Sequence, residues 1–263
     1  MIEYFIKPEK NYAYEIILFL WQNQSKQYSL KNLQNHFHIS RTIVLNSLEK
    51  LKSIAKKYPE FHLELHNSFL KASFSSNFLV NKVYIDLLKQ SFTYNFFETL
   101  YLGNFKTLDI FAQEHFTTTR TIQRQIRKLN ELLQEYSLSL SLKSQSIIIG
   151  EEYRIRHFFF MIFWHVLEEE SVFLNQDYLA FKKFAYFFQL AQSDLKKLFI
   201  FLLITRHRLS KGHKITALPD RIKKIRHPFI SLELFKKELK NNIGPFTQEE
   251  ICFLYYVFTV LPS

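Results

Sequence analysis

The sequence predicts a mainly α protein: two winged helix-turn-helix domains followed by a helical bundle. Three observations predict it. Six Pro and four Gly among 263 residues leave little material for the turns of a sandwich or barrel. Apolar residues recur at helical spacing through much of the chain. Two segments repeat each other at an offset of 78 residues.

Composition narrows the class further. At 47% apolar the chain can bury a core. The longest apolar runs are Phe158–Trp164, Leu198–Ile204 and Ile251–Val260, all short of the roughly 18 residues of a membrane span. The opening MIEYFIKPEK carries acids and no long apolar stretch, so no secretory signal is expected and the expected location is cytoplasmic, away from membranes. A lone cysteine, Cys252, excludes an intrachain disulfide framework and a Cys-based zinc site. No histidine pair has metal-ligand spacing, and neither a metal nor a cofactor is expected. The 35 Lys and Arg outweigh 24 Asp and Glu, giving a net charge of +11 that suits a polyanionic partner.

The first repeat begins with Leu30 and Leu33, three apart and on one helix face. Val44, Leu48 and Leu51 line one stripe of a second helix. In the second repeat, Leu108, Phe111, Ile122, Ile126 and Leu129 take the same places. Ser40 and Thr118 are placed as N-caps of the longer helices, each taking an unpaired backbone N–H. A short helix, tight connection and longer helix make a helix-turn-helix. Each longer helix is followed by a hairpin pattern, the wing. In the first copy Phe61–Leu65 alternates, His66-Asn67-Ser68 turns and Phe69-Leu70-Lys71 resumes; in the second, Ser139–Leu142 alternates, Lys143-Ser144-Gln145 turns and Ser146–Ile149 resumes.

The exposed faces suggest the partner. Residues 120–128 carry four positive charges and no negative one. Arg120, Gln123, Arg124, Arg127 and Lys128, with Thr118 and Thr119 at the helix start, are donors suited to phosphates and base edges. The first copy offers Ser40, Arg41, Thr42, Asn46 and Lys50. Lys71 and Lys143 are expected at or beside the wing tips, against a duplex backbone. Double-stranded DNA is therefore the expected partner.

The stretch from Phe105 to Trp164 runs from the second helix-turn-helix directly into Gly150-Glu151-Glu152, Ile155-Arg156 and Phe158-Phe159-Phe160. That order resembles the Mga family of transcriptional regulators in Gram-positive bacteria. The segment Phe37–Leu45 is similar to the first helix-turn-helix of the same family. The resemblance implies domains at 1–75, 76–152 and 153–263, the last a phosphotransferase-regulation-like domain. It also implies a homodimer and control by sugar phosphotransferase proteins. Members of the family carry a second such domain and a carrier-like C-terminal domain, so a short member or a piece of a longer protein is expected here.

The C-terminal part reads as a five-helix bundle on its own pattern. Ser193, Ser231 and Thr247 are placed as N-caps, and Thr247 with Glu250 fits a capping box. The acids Glu151-Glu152 read as a helix start and Glu168-Glu169-Glu170 as a solvated face, and residues 153–169, which mix Arg154, Arg156 and His157 with a dense aromatic run, read as a largely buried helix joined to a basic turn. His207 and His213 sit among Arg206, Arg208 and Lys211, a setting suited to a phosphorylated imidazole. The 29 Phe are expected in the core rather than as base-stacking platforms. No nucleophile elbow, phosphate loop or His-Glu-x-x-His stands in the chain, so no enzyme activity is expected. The expected function is a sequence-specific, promoter-binding transcriptional regulator. The alternative is a plasmid replication initiator with two winged-helix domains.

Overall fold

The computed structural model describes residues 12–24, 26–142, 147–168 and 176–260. Helices dominate them, and contacts divide the chain into two compact units, residues 3–96 and 97–263. In the first unit, α1 (Tyr12–Gln22) is followed by β1 (Gln27–Ser29), α2 (Leu30–Phe37) and α3 (Arg41–Ala55). Strands β2 (Phe61–His66) and β3 (Phe69–Phe74) then form an antiparallel hairpin. Its turn residues Asn67 and Ser68 both have positive φ, the geometry that matches a hairpin's twist. Strand β1 pairs with the other edge of β3, giving the sheet order β1-β3-β2. The sequence pattern did not reveal β1, because three residues are too few to show an alternation. Helix α4 (Val80–Lys89) closes the unit's core, in which Leu33, Val44, Leu48, Leu51, Phe61 and Leu70 are buried.

The boundary between the units falls inside α5 (Phe92–Leu102). The second unit then repeats the order: α6 (Leu108–Glu114), α7 (Thr119–Gln134), β4 (Ser139–Leu140) and β5 (Ile148–Ile149). Ile122, Ile126, Leu129 and Leu133 form the buried stripe of α7. Asn130 ties α7 to β4, its amide accepting from the Leu140 N–H at 2.6 Å and donating to the Leu140 carbonyl at 3.2 Å. Helices α8 (Glu152–Glu168), α9 (Gln176–Phe187), α10 (Gln192–Ser210), α11 (Asp220–Lys223), α12 (Leu232–Asn242) and α13 (Gln248–Val260) complete the chain. Their core is aromatic: Phe181, Phe184, Phe199, Phe201, Phe235, Phe253 and Phe258 are all buried together. The phenylalanines are thus mainly packing groups, as the spacing predicts.

At the head of α8 the structure corrects the sequence reading. Arg156 belongs to the helix, not to a basic turn, and is wholly buried. Its guanidinium grips Glu250 of α13 with two hydrogen bonds, donates to Glu152 at 3.0 Å and to the His213 carbonyl at 3.1 Å. Glu152 opens the helix, as the sequence predicts, and its side chain turns inward to take two bonds from Arg208 of α10, at 2.9 and 2.7 Å. Glu250 accepts from the Ile215 N–H at 2.9 Å. It therefore cannot complete a capping box. Thr247 does its half, accepting from the Glu250 N–H at 3.4 Å. Ser231 caps α12 as expected, whereas α10 starts two residues earlier than expected, with Ala191 in the cap place of Ser193. Glu168 has no described side chain, and Glu169 and Glu170 lie outside the described residues.

Few glycines predict few glycine-based turns. The chain instead closes helices with other residues in the left-handed region: His38, Phe116, Ser137 and Gln189. At one glycine both the backbone and the packing oppose a side chain. Gly150 has φ +153°, and a Cβ there would stand 2.3 Å from Leu138 Cδ2. Gly150→Ala is expected to destabilise the second unit by about 1–3 kcal/mol, read as a lower urea midpoint. Arg156→Met leaves Glu250 buried without its partner and is expected to remove about 3–5 kcal/mol in the same assay. Burial pushes the Glu152 carboxyl up, but Arg208 and Arg156 outweigh it and hold the group below the usual carboxylate range. A carboxyl depressed in the folded state contributes stability above its unfolded pKa and loses it as pH falls through the folded one. Unfolding midpoints should therefore drop below the carboxylate range, and Glu152→Gln should remove that part of the acid dependence.

Candidate nucleic-acid interface

The site is built twice from the same local chemistry. Ser29 caps α2 and Thr107 caps α6, each accepting from the backbone N–H three residues on. Ser40 caps α3 through the Ile43 N–H at 3.3 Å, and Thr118 caps α7 through the Thr121 N–H at 3.2 Å. All four caps obey the 78-residue offset. So does the left-handed residue in each turn: His38 at φ 53° and Phe116 at φ 50°. In both, the residue after the left-handed one donates back to a carbonyl five residues earlier, Ile39 to Gln34 and Thr117 to Ala112. The repeat is thus one of backbone geometry as well as of apolar pattern.

The exposed faces have diverged. Arg41, Thr42, Asn46, Glu49 and Lys50 are exposed along α3, and Arg120, Gln123, Arg124, Arg127 and Lys128 along α7. Matched by the offset, Thr42, Asn46, Glu49 and Lys50 stand where α7 has Arg120, Arg124, Arg127 and Lys128. Those four places sum to zero charge in the first copy and to four positive charges in the second. On α7, Arg120, Thr121, Arg124 and Arg127 line a concavity of about 470 Å³. A concave face walled by arginines concentrates positive potential and suits a phosphate chain. Thr119 is engaged otherwise: its hydroxyl donates to Asp109 of α6 at 2.7 Å, which locks the two helices at the turn.

Residues 76–163 match the Mga helix-turn-helix domain. The match takes in α4, the second helix–turn–helix–hairpin and α8 as far as Phe163. No curated protein gives a significant match to the chain. An Mga helix-turn-helix domain points to a DNA-binding transcriptional regulator rather than an enzyme. Among the described residues no helix is long and apolar enough to cross a membrane.

Within the Mga segment the Gly150-Glu151-Glu152 and Ile155-Arg156 residues have structural roles. Gly150 lets the chain pass Leu138, and Glu152 and Arg156 enter the buried ion network. Glu151 stays at the surface and holds Arg154 at 2.8 Å, a bond that keeps its carboxyl below the usual range. Elsewhere the expected residues are dispersed. Lys71 is exposed but lies in the middle strand of the first unit's sheet, opposite Glu64 and Gln27, and not at the hairpin tip. Lys143 lies outside the described residues.

The two histidines differ from the expected phosphate setting. Arg208 is held by Glu152, and Arg206 donates to the Ile243 carbonyl at 2.7 Å. His207 Nε2 lies 2.7 Å from the Tyr101 carbonyl, with the two rings 4.2 Å apart. His213 is half-buried beside a cavity of about 180 Å³, lined also by Gly103, Ile147, Ile148 and Arg208. Burial, aided by Arg208 and Arg156, pushes the His213 imidazole below its ordinary pKa.

Sequence reasoning missed Ser29, Thr107, Asp109 and Asn130. The two caps were within reach, since the offset that pairs Ser40 with Thr118 also pairs Ser29 with Thr107. Asp109 and Asn130 had no signal, because their partners are fixed only by the packing of α6 on α7 and of α7 on β4. Losing a cap strands a backbone N–H at the helix start. Ser40→Ala and Thr118→Ala are each expected to lower stability by about 1 kcal/mol, measured by urea titration.

Proposed function

We propose that the chain is a sequence-specific regulator that binds promoter DNA through two winged helix-turn-helix units, residues 1–75 and 76–152. In this reading α3 and α7 lie in the major groove and the hairpins touch the flanking backbone. The helical part, residues 153–263, serves dimerisation or phosphate-dependent control, and the protein works in the cytoplasm. The observation that carries the reading is the paired set of capped helices with exposed polar faces, the second bearing four positive charges and no negative one over residues 120–128.

The divergence of the two faces suggests a division of labour. Arg120, Arg124, Arg127 and Lys128 supply most of the phosphate contacts, hence the affinity and its salt dependence. Arg41, Thr42 and Asn46 have less charge and suit base discrimination at the start of α3. Phosphate control, in this reading, acts through His207 or His213. The position of His213 beside Ile147 and Ile148 would carry a change there to the second hairpin.

Footprinting on promoter-length duplexes tests the reading. A regulator protects a promoter site; protection of tandem repeats would move the reading to a replication initiator, and no protection would end both. Arg124→Ala with Arg127→Ala is expected to weaken duplex binding several-fold. The plot of log affinity against log salt should also flatten by about 2. Unchanged affinity and slope would remove α7 from the mechanism.

A further inference from the structure

Phe116 is 99% exposed, the most exposed of the large apolar side chains among the described residues. It stands in the turn between α6 and α7, two residues before the Thr118 cap. Its φ is 50°, a left-handed conformation that disfavours bulky residues. The turn needs that conformation: the Phe116 N–H donates to the Gln113 carbonyl at 3.2 Å and the Thr117 N–H to the Ala112 carbonyl at 3.0 Å. Other helix ends of this kind in the chain carry Gly103, Gly212, His38, Ser137 or Gln189 at the same place. These residues need no apolar cover, and glycine also relieves the backbone. Phe116 combines two unfavourable choices at one position, and neither is repaid by packing within the chain.

The surroundings say what covers it. The turn leads into the α7 face that carries Arg120, Arg124 and Arg127. The start of such a helix is where base edges are met. The Thr119–Asp109 bond at 2.7 Å holds the turn against α6, so the ring is presented on a fixed frame. A polyanion drawn to those arginines arrives with the ring at its edge. The apolar groups that a duplex offers there are thymine C5-methyls and deoxyribose C–H groups.

We infer that Phe116 is a DNA-contacting residue whose ring packs on the apolar edge of the duplex, a thymine methyl or a deoxyribose, beside the base-reading end of α7. This rests on the DNA-binding reading above. The ring touches little of its own protein, so its removal should not harm folding. Phe116→Gly should hold or raise the unfolding midpoint, since glycine suits the backbone there, while duplex binding falls.

The test uses the whole chain and a duplex selected by it from a random pool. Phe116→Ala and Phe116→Gly are expected to weaken binding roughly threefold to tenfold with the salt slope unchanged. Replacing thymine by uracil separates the sources. If wild type loses affinity on the uracil duplex and Phe116→Ala does not, the contact is the methyl. If both lose equally and the variant stays weaker throughout, the contact is the sugar. Wild-type affinity and sequence preference in both variants would overturn the inference and leave the ring to a protein partner, with the DNA-binding reading intact. Failure of the wild-type chain to select any duplex would instead overturn that reading, and this inference with it.

Discussion

Arg156 is a full positive charge with no water around it, and the second unit is arranged so that this charge is satisfied. Glu250 from α13, Glu152 from its own helix and the His213 carbonyl meet the same guanidinium. Arg208 from α10 then balances the second carboxylate. Three helices and the segment after α10 are thereby fixed in mutual register by directional bonds, where aromatic packing alone would tolerate sliding. Because only two residues separate β5 from α8, this network also anchors the end of the helix–turn–helix–hairpin that precedes it. Gly150 sits at that junction, and its missing side chain is what lets the two parts approach.

The two copies of the helix-turn-helix show which properties a duplicated unit keeps and which it changes. Kept are the four caps, the left-handed turn residue and the buried stripe, all of which determine the backbone. Changed are the exposed positions, which have no effect on folding and are free to choose a partner. Thr42, Asn46 and Glu49 in one copy correspond to Arg120, Arg124 and Arg127 in the other. Thr119 shows an intermediate case: it is at the start of the reading helix, yet its hydroxyl is committed to Asp109.

Much of the candidate site was legible in the sequence because it is local. A cap acts within three residues and a buried stripe within one helix. The residues that a helix exposes follow from the same period, so Arg120, Gln123, Arg124, Arg127 and Lys128 are legible from the sequence. Strand β1 was not legible, since its pairing with β3 joins residues 40 to 44 apart over only three positions. The turn at Asn67 and Ser68 was legible, whereas the place of Lys71 on the middle strand, between Glu64 and Gln27, follows from the added pairing with β1.

The sequence by itself determined the helical class, the internal repeat and the outward basic face of α7, because period and capping are properties of neighbouring residues. Only the tertiary structure decided the roles of Glu152, Arg156, Arg208 and Glu250. Each looks like an ordinary surface charge in its local context, and Arg156 lies 94 residues from Glu250 along the chain. A charge is buried or solvated according to what folds over it, and that depends on elements far away in the chain.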